Sequence, residues 1–158
     1  MQEPERFALT RLTDPGRSDR WAETLANRYL LDTSIISNLV RNPQGKVAKR
    51  IAKVGEDSVC TSIIVAAELR YGCAKVGSPR LTKAVEEILG ELAVLPFDVA
   101  ADAEYGVVRS KLEAAEKPIG SNDLLIAAHA SALGVTIVTA NTDEFKRVRG
   151  LKVTNWLD

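Results

Sequence analysis

Aromatic residues are scarce in this chain: Phe, Trp and Tyr make up 5% of its 158 residues. A core built from it must rest on Leu, Ile, Val and Ala. There is one histidine, His129. That excludes a His-rich metal site and any mechanism that needs two imidazoles as acid and base. The only cysteines are Cys60 and Cys73, 13 residues apart, which is neither a zinc nor a redox spacing. They read as reduced, partly buried thiols of a cytoplasmic protein. Net charge is zero, from 21 Lys plus Arg and 21 Asp plus Glu. This excludes a domain that grips nucleic acid by bulk charge, but leaves a local basic patch open. No apolar run reaches the roughly 18 residues of a membrane span. The first residues carry acids and no apolar core, so a secretory signal is not expected. If the chain does chemistry, carboxylates must carry it.

Apolar residues at 46% and charged residues at 27% describe an ordinary globular domain. Residues 1–28 differ from the rest: Pro4, Pro15, Gly16 and charges of both signs show little periodicity. They read as an N-terminal extension, with a short helix conceivable over 19–26. From residue 29 to 158, short β-rich runs alternate with helical ones. Strands are expected over 29–31, 58–61, 94–97 and 135–139 and near 153–155. Helices are expected over 34–41, 44–54, from Ser62 to about 75, 79–92, from Asp98 to about 116, 121–133 and 142–148. Ser62, Ser78 before Pro79, and Asp98 are candidate caps. The strands are apolar rather than alternating, which predicts an α/β domain with a parallel sheet covered on both faces.

Four polar points interrupt this pattern. Asp32 follows the first strand directly, where functional groups gather in parallel sheets; it can equally cap the next helix. Glu68 stands alone in Ile63-Ile64-Val65-Ala66-Ala67-Glu68-Leu69. Buried there it needs a partner or a metal; on the outer face it needs neither. Asp123 lies in the first turn of an apolar helix, where any acid is favoured by the helix dipole. Such a helix is buried, so its first turn opens on a cleft. Asn141 and Glu144 follow the last clear strand in capping-box spacing, with Asp143 between them. Asn141 can alternatively hold a metal-bound water through its amide oxygen. Together these segments bring oxygen ligands to one sheet rim. Without histidine that is a hard-oxygen site, suited to Mg²⁺ or Mn²⁺ and not to zinc. His129, about 240° around the helix from Asp123, reads as structural.

Leu30-Leu31-Asp32-Thr33-Ser34, then residues 62–72 (SIIVAAELRYG), then 119–127 (IGSNDLLIA), then 138–145 (VTANTDEF), in that order and spacing, resemble a PIN-domain ribonuclease. The likeness is to the VapC and FitB toxins of toxin–antitoxin systems, and the ending 150–156 (GLKVTNW) is similar to theirs. The resemblance implies a three-layer α/β/α PIN-like domain with a central parallel sheet and Mg²⁺-dependent endonucleolytic hydrolysis of RNA. It implies Asp32, Glu68 and Asp123 as metal-site acids. The fourth family position, often Asp, is Asn141 here, with Glu144 favoured over Asp143 as an additional carboxylate. Asp32 and Asp123 are assigned as direct ligands, with Glu68 orienting water or holding a second ion. Asn141, Ser121 and Thr33 would hold ligands or substrate by hydrogen bonds. Arg41, Lys46, Lys49, Arg50 and Lys53, without an acid between them, are the expected phosphate-gripping rim; a solvated helix face explains them equally. The resemblance also implies a VapB-like antitoxin in the cleft and a homodimer, with the apolar helix over 61–71 a candidate interface for either.

Three other readings compete. A haloacid-dehalogenase-type phosphatase wants a second Asp two residues after the first, and that position is Ser34. An inactive PIN-like binding module is favoured by Asn141. A housekeeping RNA-processing nuclease without an antitoxin shares every motif.

Overall fold

The computed structural model describes residues 28–158. The conceivable helix over 19–26 lies outside them. Five strands form one parallel sheet: β1 (Tyr29–Leu31), β2 (Val59–Ser62), β3 (Ala93–Leu95), β4 (Thr136–Val138) and β5 (Val153–Thr154), in the order β3-β2-β1-β4-β5. Among the described residues seven helices flank it: α1 (Thr33–Arg41), α2 (Lys46–Val54), α3 (Ile63–Val76), α4 (Pro79–Glu91), α5 (Val99–Ala114), α6 (Ser121–Leu133) and α7 (Thr142–Phe145). The layered α/β/α expectation is met.

The strand order explains where a site can form. The chain steps outward from β1 to β2 to β3, then returns to place β4 on the other side of β1. Right-handed crossovers put the helices of the outward and return paths on opposite faces. Between β1 and β4 the direction reverses, which opens a crevice at the carboxyl ends of these two strands. Leu31 is level with Val138 there, and the Asp32 amide donates to the Val138 carbonyl at 2.9 Å. Asp32 on one side and residues from Thr139 on the other therefore line one gap.

The apolar runs are the core. Leu30, Leu31, Ile137 and Val138 are fully buried, each contributing about 1.5–3 kcal/mol of burial free energy. Ile126, Ala127 and Ala130 of α6 and Val65 and Ala66 of α3 pack in the same core. Glu104 near the start of α5 accepts from Ser131 near the end of α6 at 3.0 Å. The two helices thus run antiparallel, and the end of α5 shares a rim with the start of α6.

Several element ends moved by one to three residues. β3 stops at Leu95, because Pro96 has no amide to continue the ladder. α7 ends at Phe145 instead of 148, and a 3₁₀ turn at Glu56–Ser58 was not expected. Ser62 and Ser78 cap α3 and α4, accepting from Ile64 N at 3.0 Å and Leu81 N at 3.2 Å. Asp98 precedes α5 but makes no side-chain cap. α6 starts with Ser121 inside its first turn and ends at Gly134, whose φ of 68° is the left-handed conformation glycine takes cheaply. Cys60 and Cys73 are free and buried, and burial pushes the Cys60 thiol up to about 12. No helix among the described residues is long and apolar enough to cross a membrane.

Candidate active site

Asp32 is 4% exposed. Its Oδ1 accepts from the Thr33 amide and its Oδ2 from Thr139 Oγ1, each at 2.7 Å. It caps α1 and also borders the gap between β1 and β4. Burial holds its pKa above the ordinary value; the Thr139, Thr33 and Ser34 hydrogen bonds oppose this, and the charge of Glu68 adds to it.

Glu68 is half-buried on α3 and faces the same gap. Its Oε1 accepts from Thr33 Oγ1 at 2.6 Å and its Oε2 from Asn122 Nδ2 at 3.2 Å. α3 is apolar nearly all round, so the helix itself gives no reason for a carboxylate on this face; the two hydrogen bonds and the gap do.

Asp123 enters from the first turn of α6. Its carboxyl is pushed up to about 7, first by burial, then by a hydrogen bond with Glu144 and the charges of Asp32, Glu144 and Glu68. Every charged neighbour that acts on it is another carboxylate. Like charges this close force one acid to keep its proton.

Asn141 and Glu144 complete the cluster from the β4 side. The Asn141 side chain does not cap α7, contrary to the capping-box reading. Its Nδ2 donates instead to Glu144 Oε2 at 2.7 Å and Asp123 Oδ2 at 3.5 Å. Glu144 Oε1 accepts from the Gly120 amide at 2.6 Å. An amide where an acid could stand replaces a repulsion by two hydrogen bonds. Asp143 is exposed and takes no part.

The structure thus brings Asp32, Thr33, Glu68, Asp123, Asn141 and Glu144 together, with exposed Ser121 at the rim. It does not bring the whole basic segment with them. Arg41 shares a groove with Thr33 and Glu68. α1 runs nine residues away from Asp32, about 13 Å, before α2 begins. On α2, Lys46 donates to the Leu157 carbonyl at 3.3 Å, and neither Lys49 nor Arg50 ion-pairs with a described residue. His129 is buried, bonded through Nδ1 to Ser62 Oγ at 2.8 Å and edge-on to Phe97. Burial pulls its pKa down. Thr139, Asn122 and the Gly120 amide, which position the acids, were not singled out from sequence. Their only local signal was membership of the motifs over 119–127 and 138–145.

The donor set is oxygen throughout and carries excess negative charge, which fits a hard divalent cation. No three acids among the described residues close on one point as a finished ligand set. Mg²⁺ tolerates this, since it takes one or two carboxylates and keeps several waters.

Residues 29–151 match the PIN domain. The chain belongs to the PIN-domain family. Within that family it is 35% identical over 130 residues to the tRNA(fMet)-specific endonuclease VapC of Shigella flexneri, covering 82% of this chain and 98% of the relative. It is 34% identical over 131 residues, with the same coverage, to ribonuclease VapC2 of Haemophilus influenzae. Its PIN fold superposes on the DNA-bound VapBC complex from Salmonella typhimurium with a TM-score of 0.75 at 30% identity, covering 82% of this chain and 98% of that one. The FitAcB complex from Neisseria gonorrhoeae gives 0.71 at 32% identity, over the same shares. PIN-domain nucleases of the VapC type depend in general on a divalent metal.

Proposed function

We propose that this PIN domain is a Mg²⁺-dependent endoribonuclease and the toxin of a VapBC-type pair, acting in the cytoplasm, with residues 1–28 an extension outside the catalytic domain. The observation that carries this is the meeting of Asp32 and Asp123 across the β1–β4 crevice, with Asp123 pushed up to about 7 by burial first and then by the neighbouring acids. Asp32 and Asp123 hold the ion, with Mn²⁺ able to replace Mg²⁺ and Glu68 within the same set. A bound ion supplies charge neutralisation at the scissile phosphate and a more acidic water. Thr139 and the Thr33 amide fix both oxygens of Asp32, so its orientation needs no rearrangement. Glu68, clamped by Thr33 and Asn122, orients the attacking water. Asn141 and Glu144 keep Asp123 in place, while Ser121 offers a hydrogen bond to substrate and the Thr33 hydroxyl, its proton given to Glu68, can accept one from it. Arg41, Lys46, Lys49 and Arg50 form a basic rim on the α1–α2 side.

The antitoxin occupant fits the groove between α1, α3 and α4. That groove holds about 430 Å³ and runs from Thr33 and Glu68 past Leu69, Val76 and Leu81. An apolar helix with an arginine at the Glu68 end would fill it and pair with the acids. The homodimer belongs to the same proposal. Exposed Tyr71 on α3 is 67% accessible and supports an interface there.

The test is RNA cleavage by the partner-free protein with Mg²⁺, with Mn²⁺ and with chelator. Initiator transfer RNA comes first, since the Shigella relative is named for it. Cleavage that needs the metal and is lost in Asp32→Ala carries the proposal. A folded, metal-loaded protein that cuts no RNA would reduce it to a binding module.

A further inference from the structure

Acids that repel one another also repel a polyanion, so an RNA strand needs cations close beside them. The Debye length at physiological salt is about 8 Å, which limits how far away those cations can act. Such a set lies on the α5–α7 side. Residues 146–152, which follow Glu144 and Phe145, read Lys-Arg-Val-Arg-Gly-Leu-Lys, four cations without an acid. The antiparallel α5–α6 pair delivers Lys111 and Lys117 to the same rim. Lys111, Lys117, Arg147 and Arg149 line one pocket of about 460 Å³. Glu104 is its only acid among the described residues, and that carboxylate already accepts from Ser131. Lys111, Lys117 and Arg149 are exposed and form no ion pair with a described residue.

Two hydrogen bonds tie this pocket to the loop that carries the acids. Arg147 donates to the Pro118 carbonyl at 2.9 Å, and two residues on the Gly120 amide donates to Glu144 at 2.6 Å. Lys117 and Arg147 each stand three residues from that Gly120–Glu144 contact, at most about 10 Å of chain. Concave, cationic and beside the acids, it suits phosphates of a strand entering or leaving them.

We propose that the Lys111–Lys117–Arg147–Arg149 pocket holds the RNA backbone flanking the scissile bond. The inference takes its substrate from the nuclease reading. Its test is Lys111→Ala/Lys117→Ala/Arg149→Ala in the full chain, leaving Arg147 to pin the loop. Binding of a short single-stranded RNA is measured against salt in an Asp123→Asn background, and cleavage in the native background. The expected result is about tenfold weaker binding at low salt, with the log–log salt slope reduced by about 2. KM should rise with kcat unchanged. Lys111→Arg/Lys117→Arg/Arg149→Lys should retain binding, and the charge-matched Lys75→Ala/Arg80→Ala/Lys83→Ala should stay within about twofold, since bare net charge is the same in both triples. Native affinity and slope in the folded pocket triple overturn the inference even if the native protein cleaves RNA. So does loss of an acidic protein partner with RNA binding intact. RNA binding that depends on the pocket, in a protein that never cleaves, supports the inference and defeats only the nuclease reading.

Discussion

β1 and β2 lie side by side with Leu31 level with Thr61, so Asp32 and Ser62 stand at matching points on the same rim. Both cap the helix that follows, Asp32 through the Thr33 amide and Ser62 through the Ile64 amide. Beyond the cap they diverge. Ser62 turns to His129, a neutral pair closed on both sides, with His129 1% exposed. Asp32 faces Thr139 and, beyond it, three more carboxylates. One end of the rim is a satisfied polar joint. The other holds charge that the protein does not neutralise. Burial of a polar group therefore says little by itself; function shows where like charges are held together against their own repulsion.

The strongest way to sharpen this contrast is Asp123→Asn. We expect cleavage to fall by at least about 100-fold, while the thermal midpoint stays level or rises because a repulsion is removed. Activity assays alongside thermal unfolding check both halves. Loss of activity together with loss of fold would erase the distinction.

Thr139→Val keeps shape but strips a donor from Asp32 Oδ2. Divalent-cation affinity should fall about 10- to 100-fold. Calorimetric titration with Mn²⁺ reads this directly, and unchanged affinity would show that Asp32 needs no support.

On the satisfied side, His129→Ala should act on stability alone. It opens a cavity and removes one of two partners of Ser62 Oγ, which keeps the Ile64 amide, for a loss of about 1–3 kcal/mol in denaturant unfolding. Activity per folded molecule should remain. A folded but inactive variant would refute the carboxylate-only site.

The smallest effect is on pH dependence without metal. Asp123 has a folded pKa raised from 3.8 to about 7, and Asp32 is shifted the same way. Between those values the folded state binds more protons than the unfolded one. Stability of the metal-free protein should therefore fall as pH rises through that window. Added Mg²⁺ should reverse the fall. A midpoint that climbs over this range would mean the acids are already neutralised from within.

Most of the fold was legible because its signals are local. Apolar triplets marked β1 and β4, and Ser62 and Ser78 marked helix starts. Strand edges slipped by one or two residues, β3 because Pro96 ends its ladder. The parallel α/β layering followed from the alternation of elements, and its PIN-like form was implied by the resemblance that the four motifs carry. The site was legible as a set of positions and not as a geometry. Asn141 illustrates the gap: its spacing to Glu144 suggested a cap, while its side chain bridges two acids from different elements. The basic segment on α2 stood out in sequence, yet the run 146–152 and the lysines of α5 and its loop share a pocket beside the acids.

The sequence by itself determined which residue types could do chemistry here: one histidine and two isolated cysteines leave carboxylates and oxygen ligands. It also determined the order of strands and helices, since apolar runs and caps act over a few residues. Only the tertiary structure decided that Thr33 meets Glu68 across 35 positions and that Thr139 meets Asp32 across 107. Only it decided that Asp123 sits where burial, and then its neighbours' charge, lift it to about 7. The physical reason is range: propensity and capping act along the chain, whereas burial and Coulomb repulsion depend on which distant segments the sheet order brings together.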